Sequence, residues 1–191
     1  MQLTYYGHSA FLWTSPAGVR ILIDPFGESP RHHWFRRPFP AAEADVCLVT
    51  HEHFDHSGTG RVGGRPTLLR GPGEFRLRDV SVHGVVDEHT PIPGRDAVPN
   101  TMFVVECGGL RLCHGGDNRH DPPAAVRDRL GAIDLLTVPA DDSCHLLSYE
   151  QIERLVDRLD PRIVVPVHYF VEGLTTEEST LRPPTGWLET Q

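Results

Sequence analysis

An α+β or mixed α/β chain, with sheet layers covered by helices, is what the sequence predicts, and three observations predict it. Short apolar runs punctuated by glycine and proline fill the N-terminal part. Helical capping signals are concentrated late in the chain. One run, Val46-Cys47-Leu48-Val49, is apolar without alternation and so suits a strand covered on both faces. At 191 residues the chain is long enough for one domain, residues 1–191, with a substantial core.

Leu3 to His8, Ala10 to Thr14 and Val19 to Ile23 read as successive strands, with Ser15-Pro16-Ala17-Gly18 as the turn before the third. Asp45 to Thr50 carries the wholly apolar run. Pro66 to Arg70, Val80 to Val86, Thr101 to Cys107 and Leu110 to His114 are the next strands. A helix follows, with Asp121 as N-cap, Pro122 at its first position and Gly131 just past Leu130. Ile133 to Val138 is again a strand. Ser148 and Gln151 form a capping box that opens a second helix. Its stripe is Ile152, Leu155, Val156 and Leu159, and Asp160-Pro161 stops it. Arg162 to Val167 is the last strand. Leu174 to Gln191 is polar and proline-bearing, with Trp187-Leu188 expected to anchor it.

Charge and composition exclude several functions. The 18 basic and 26 acidic residues leave a formal charge of −8, which argues against a nucleic-acid partner. Every basic residue is arginine, so a Schiff-base lysine and a Walker-type phosphate lysine are ruled out. No apolar stretch reaches the roughly 18 residues that a membrane span needs. Met1-Gln2-Leu3-Thr4-Tyr5-Tyr6 lacks a signal-peptide pattern. Cys47, Cys107 and Cys113 sit in apolar runs, and with Cys144 they match no zinc or redox spacing. Buried thiols and a reducing, cytoplasmic location are therefore expected.

Histidine occurs 12 times. The densest group is Thr50-His51-Glu52-His53-Phe54-Asp55-His56-Ser57-Gly58, directly past the buried strand. A turn there lets His51 and His53 converge on one point while Asp55 and His56 face another. Imidazole nitrogen and carboxylate oxygen suit zinc, iron or manganese. Further ligands must come from other strand ends. Asp24, His89, Asp117 and His168 each sit just past an apolar run, which argues for one shared sheet edge.

The His51-x-His53-x-Asp55-His56 run lies between Ile23-Asp24-Pro25 and Gly116-Asp117, with Pro166-Val167-His168-Tyr169 further on. With this order the chain resembles the metallo-β-lactamase superfamily from about residue 5 to 170. The opening Gly7-His8-Ser9 and the size resemble its small hydrolase branch, related to ascorbate-6-phosphate lactonases. The resemblance implies an α+β, four-layer αββα sandwich with a dinuclear site at one sheet edge. It implies that His51, His53 and His89 hold one metal and Asp55, His56 and His168 the other. Asp117 would bridge, and Asp55 and Asp117 would be the catalytic carboxylates. Asp24 would orient ligands from behind, with His8 and His114 beside the site. For the third motif His83 competes with His89. His89 is preferred because it follows Gly84-Val85-Val86 and precedes Pro99-Asn100-Thr101, as in relatives.

The activity so implied is dinuclear metal-dependent hydrolysis, in which a metal-bridging hydroxide cleaves a small, anionic ester, lactone or phosphoester. Two divalent ions are expected as cofactors, zinc first, with manganese or iron as alternatives. The competing functions are a phosphodiesterase or nuclease of the same superfamily and a non-hydrolytic iron-binding redox module. A small-molecule substrate is the expected partner, with no membrane; a homo-oligomer stays open. Arg36 and Arg37, in the basic and aromatic segment Arg31 to Pro40, are candidates for an anion clamp over the pocket. A surface loop packing its own aromatics is the other reading. Close relatives carry glycines where this chain has Ala140-Asp141-Asp142-Ser143-Cys144-His145, so either this loop's polar groups, His145 foremost, face the pocket and alter specificity, or the segment is an altered surface loop. Gly58-x-Gly60-x-x-Gly63 matches a dinucleotide fingerprint only as a string, because Arg65-Pro66 prevents the helix that should follow.

Overall fold

A computed structural model describes residues 1–92, 94 and 96–191 of the chain. The chain folds in the order β1 (Gln2–Gly7), β2 (Ala10–Thr14), β3 (Arg20–Ile23), β4 (Ala42–Glu43), β5 (Val46–Leu48), β6 (Val62–Gly63), β7 (Thr67–Leu69) and β8 (Gly73–Leu77). It continues with β9 (Val80–Glu88), β10 (Pro99–Cys107), β11 (Leu110–His114), α1 (Ala124–Leu130), β12 (Leu135–Pro139), α2 (Tyr149–Leu159), β13 (Ile163–Val167) and α3 (Thr185–Leu188).

One sheet has the order β1-β2-β3-β5-β7 and the other β13-β12-β11-β10-β9-β8. Strand direction is what positions the site. β1 and β3 both pair antiparallel with β2, and β5 and β7 run parallel to β3. In the second sheet β11, β12 and β13 are parallel, and β9 and β11 both run antiparallel to β10. Within each sheet, then, the donor-bearing strands all end at the same edge.

The layers follow from side-chain alternation. Ile21 and Ile23 of β3 and Val46 and Leu48 of β5 point between the sheets, against Val82, Phe103, Val105 and Val167. Their neighbours Leu22 and Cys47 point the other way, beneath Phe26, Phe39, Ala44 and Leu174. This two-sided burial explains the unbroken apolar run of β5. On the second sheet Met102, Val104, Cys113, Leu136 and Val138 pack on Leu130, Ile152, Leu155 and Trp187 of the helices. Each large side chain so buried contributes roughly 1.5–3 kcal/mol. The αββα sandwich is therefore formed, with irregular chain rather than α-helix as the layer over the first sheet among the described residues.

Local chemistry accounts for the ends. Ser148 accepts from Gln151 N–H while the Gln151 side chain accepts from Ser148 N–H, closing the capping box of α2. Asp160 then takes a left-handed φ of 45°. The first helix corrects its expected start: the N-cap is Pro123, not Asp121. A proline disfavours helical backbone at the residue before it, so Pro122 cannot open the helix in front of Pro123. Asp121 pairs instead with Arg158 at 2.8 Å. Strand β8 was not anticipated; it gains its order from the antiparallel ladder with β9. Cys47, Cys107 and Cys113 are buried free thiols, and Cys144 is exposed. Trp187 is buried as the expected anchor, whereas Leu188 is exposed. Among the described residues no helix is long and apolar enough to cross a membrane.

Candidate metal centre

Side chains from six strand ends meet at the common edge. His8 follows β1, Asp24 follows β3, the His51–His56 run follows β5, His89 follows β9, Asp117 follows β11 and His168 follows β13. Three of these turns are sharp: His8, Asp24 and His168 have φ of 57°, 45° and 60°. Non-glycine residues in this left-handed region carry strain, which directs attention to function. Gly116, at φ 58°, delivers Asp117. A Cβ there would sit 2.5 Å from Asn100 Oδ1 and 2.6 Å from Thr50 Oγ1, so only glycine fits.

Two donor clusters result. His51, His53, His89 and Asp117 form one, and His8, Asp55, His56 and His168 the other. Within each, ligand-type atoms all lie within 4.8 Å of one another. Asp117 reaches both: Oδ1 lies 3.3 Å from His56 Nε2, and Oδ2 lies 3.4 Å from His89 Nε2, 3.4 Å from His168 Nε2 and 3.7 Å from His51 Nε2. His83 stays mid-strand on β9 opposite Glu74, outside both clusters.

Hydrogen bonds behind the imidazoles set their tautomers. Thr50 Oγ1 donates to Asp24 Oδ2 at 2.7 Å and so accepts from His51 Nδ1 at 3.0 Å. His56 Nδ1 donates to Asp24 Oδ2 at 2.9 Å, and His89 Nδ1 to the Thr90 carbonyl at 2.6 Å. In all three rings Nε2 is thereby turned into the clusters, that of His51 3.1 Å from His53 Nδ1. His56 Nε2, His89 Nε2 and Asp117 Oδ1 are buried with no hydrogen-bond partner. Such orphans are costly unless something else satisfies them. A cation satisfies lone pairs and carboxylates together, so these residues fit divalent metal ions. His114 Nε2 donates to Asp24 at 3.1 Å, behind the clusters.

The two clusters differ electrostatically. Burial lowers His51 to about 3, with the neighbouring His56 adding to the effect. Burial, then His89, also lowers His53. Burial and His168 bring His8 down to about 4 against the pull of Asp55. For His56 burial is the largest influence and acts downward, but Asp117, Asp55 and Asp24 together outweigh it and raise the pKa well above its ordinary value. His168 is likewise raised, Asp117 and Asp55 overcoming burial. Burial disfavours the Asp55, Asp117 and Asp24 carboxylates, yet the surrounding histidines hold all three below the usual range.

A cleft of about 390 Å³ opens over the clusters, bounded by His53, Asp55, His89, Asp117 and His168 below and by His32, Trp34, Phe54, Pro91, Ile92, His145 and Leu146 around the sides. Here two expectations are corrected. Arg36 and Arg37 are exposed and do not line the cleft. Phe35 bridges Thr175 and Arg36 N–H donates to the Leu174 carbonyl at 2.8 Å, which turns Trp34 and Phe35 inward and leaves the charged guanidiniums in water. In the 140–145 loop Asp141 and Asp142 turn away. Asp141 accepts from Ser143 and from His145 N–H; Asp142 accepts from Tyr149 and Gly186 N–H. Only His145 of that segment lines the cleft, its pKa lowered by burial and then by His168. His8, expected beside the site, stands against the second cluster with Nε2 2.9 Å from Asp55 Oδ2. Sequence reasoning missed Thr50, whose place directly before the histidine run was a usable signal. Ile92 carried none.

A four-layer αββα sandwich with paired His/Asp clusters along one sheet edge defines a metal-dependent hydrolase of the metallo-β-lactamase type. The chain belongs to the β-lactamase superfamily: the model described as the β-lactamase superfamily domain matches residues 2–168. A relative named UPF0173 metal-dependent hydrolase, from Anaeromyxobacter sp., is 40% identical over 204 residues, covering 88% of this chain and 74% of that protein. A UPF0173 protein of Pyrococcus abyssi is 28% identical over 196 residues, covering 91% of this chain and 85% of its own. Among solved structures, a Thermotoga maritima protein named as a Zn-dependent hydrolase of the metallo-β-lactamase superfamily is similar, with TM-score 0.75 and 27% identity. That match covers 99% of this chain and 84% of the other.

Proposed function

We propose that this metal-dependent hydrolase works with two divalent ions and cleaves a small ester, lactone or phosphoester. The observation that carries the reading is the Asp117 carboxylate, whose oxygens lie 3.3 Å from His56 in one cluster and 3.4 Å from His89 in the other. His51, His53 and His89 would hold one ion, Asp55, His56 and His168 the other, and Asp117 would serve both. Held there, two such ions supply Lewis acidity and lower the pKa of water toward about 7. Asp24 and Thr50 keep the imidazole lone pairs aimed inward, so the donors need no rearrangement. His8, against Asp55, would limit the swing of that carboxylate. The cleft orients the substrate and sheds water around the reacting bond. Zinc is the ion proposed, with manganese or iron as alternatives that suit the same donors.

The test is hydrolysis of lactones, phosphoesters and thioesters by one metal-reconstituted preparation, before and after chelation. Chelator-sensitive turnover of at least one class supports the reading. A coloured, iron-loaded protein that turns over none of them contradicts it, and preferred cleavage of bis-nitrophenyl phosphate would move the substrate to a phosphodiester.

A further inference from the structure

We infer that the substrate of this site carries a flat, uncharged ring, seated in the cleft against Trp34 and Phe54, and is not a phosphorylated or sugar-like ester. This deepens the hydrolase reading above and rests on it.

The cleft's volume of about 390 Å³ is that of a small-molecule site. Its floor is the donor clusters, so whatever fills the remainder is the part of the substrate that does not react. One wall is aromatic and already assembled. Phe54 meets Trp34 edge to face at 5.4 Å between ring centres and 75° between planes, and His32 stacks on Phe54 at 5.4 Å and 17°. Trp34 meets His145 edge to face at 5.6 Å and 81°. Pro91, Ile92 and Leu146 contribute the apolar remainder. A ring entering this space gains aromatic contact in the offset or edge geometries that such groups prefer.

The aromatic wall is held from behind. Thr176 N–H donates to the Trp34 carbonyl at 2.8 Å, His33 N–H to Glu178 Oε1 at 3.0 Å, and Arg36 N–H to the Leu174 carbonyl at 2.8 Å. The polar C-terminal segment therefore has a structural task, fixing the loop that carries Trp34, and little ordering entropy is lost on binding. An anion would meet little to bind. Arg31, Arg36 and Arg37 face solvent, and among the described residues no arginine lines the cleft. The Thr90 hydroxyl already donates to the Asn118 carbonyl at 3.0 Å. A phosphate or a polyhydroxylated ring placed against Trp34, Phe54 and the apolar lining would leave polar groups desolvated without partners.

The experiment compares three six-membered lactones on the metal-reconstituted protein: δ-valerolactone, β-phenyl-δ-valerolactone and 6-phosphoglucono-δ-lactone. Binding of β-phenyl-δ-valerolactam, the hydrolysis-resistant amide analogue, is measured in parallel by calorimetry. The phenyl lactone is expected to exceed δ-valerolactone at least tenfold in kcat/KM, mostly through KM, and the phospholactone to fall below both. Trp34→Ala and, in the apolar part of the lining, Ile92→Ala should each bring the phenyl-to-unsubstituted KM ratio toward one, with Trp34→Phe restoring most of it. Preference for the phospholactone, or no gain from the phenyl group, overturns the inference. If no lactone is hydrolysed but the lactam binds and Trp34→Ala weakens it, the ring site stands and the lactone reading falls. If the lactam does not bind, the inference falls whatever the turnover.

Discussion

The two donor clusters share Asp117 and one sheet edge, yet their imidazoles are steered by opposite means. In the cluster of His51, His53 and His89 the partners behind the rings are neutral, a Thr50 hydroxyl and a Thr90 carbonyl, and burial keeps His51 and His53 unprotonated. In the cluster of His8, Asp55, His56 and His168 a buried carboxylate, Asp24, stands behind His56, and carboxylates raise both His56 and His168. Donors of the same kinds, imidazole and carboxylate, are thus set in unequal fields. His51 and His53 offer lone pairs below the usual imidazole range, while His56 and His168 must shed protons to take a cation. The two ions should therefore be held unequally.

The severest way to break this distinction is at the shared residue. Asp117→Ala should lower kcat/KM by on the order of 10³-fold, as expected for loss of a group acting on the reacting centre, with metal content dropping below that of the parent in the same preparation. Unchanged metal content would separate Asp117 from both clusters. Next, Asp24→Asn removes the charge that meets His56 directly and reaches His51 only through Thr50. Affinity should fall about 10- to 100-fold, and a chelator titration should show one ion leaving well before the other. Equal loss of both would erase the difference between the clusters.

The metal-free protein sharpens the comparison through pH. His56 and His168 have raised pKa values, so their contribution is fully present below the unfolded value of about 6.5 and is lost as pH rises through the raised ones. His8 and His51 have lowered values, about 4 and about 3, so below about 6.5 the unfolded chain takes protons that the folded chain refuses. Stability then falls with acid as well. Tm of the chelated protein should peak near pH 6.5, shifting by roughly 2–4 °C for each kcal/mol lost on either side. A Tm rising steadily to pH 9 would contradict the assignment. The smallest effect is expected at His145, on the rim: His145→Ala should change substrate preference by less than about tenfold and leave metal content intact. Loss of a metal ion on that substitution would redraw the ligand set.

The same contrast explains what could be read in advance. The strand-end donors were legible because an apolar run followed abruptly by histidine or aspartate is a local pattern, and parallel strand direction then gathers such ends at one edge. Both sheets and the Ser148 capping box were legible for the same reason. The resemblance implied His8 beside the site, but the contact that fixes it there, the backbone bond from His168 N–H to its carbonyl, 2.8 Å long, spans 160 residues of sequence that leave no local trace. Arg36 and Arg37 misled because composition reports a charge but not its direction; the Phe35–Thr175 bridge decides that. Strand β8 and the cleft wall at Ile92 exist only through tertiary pairing. Local chemistry thus specified the reactive edge, whereas the shape of the space above it came from contacts distant in sequence.

The central claim, two unequal metal sites sharing Asp117, is tested most directly by counting ions. The protein should be stripped, reloaded with zinc, freed of excess metal and analysed by mass spectrometry alongside protein quantification. Two ions per chain, one released by chelator before the other, is the result expected. One ion or fewer per chain, or two released together, would contradict it.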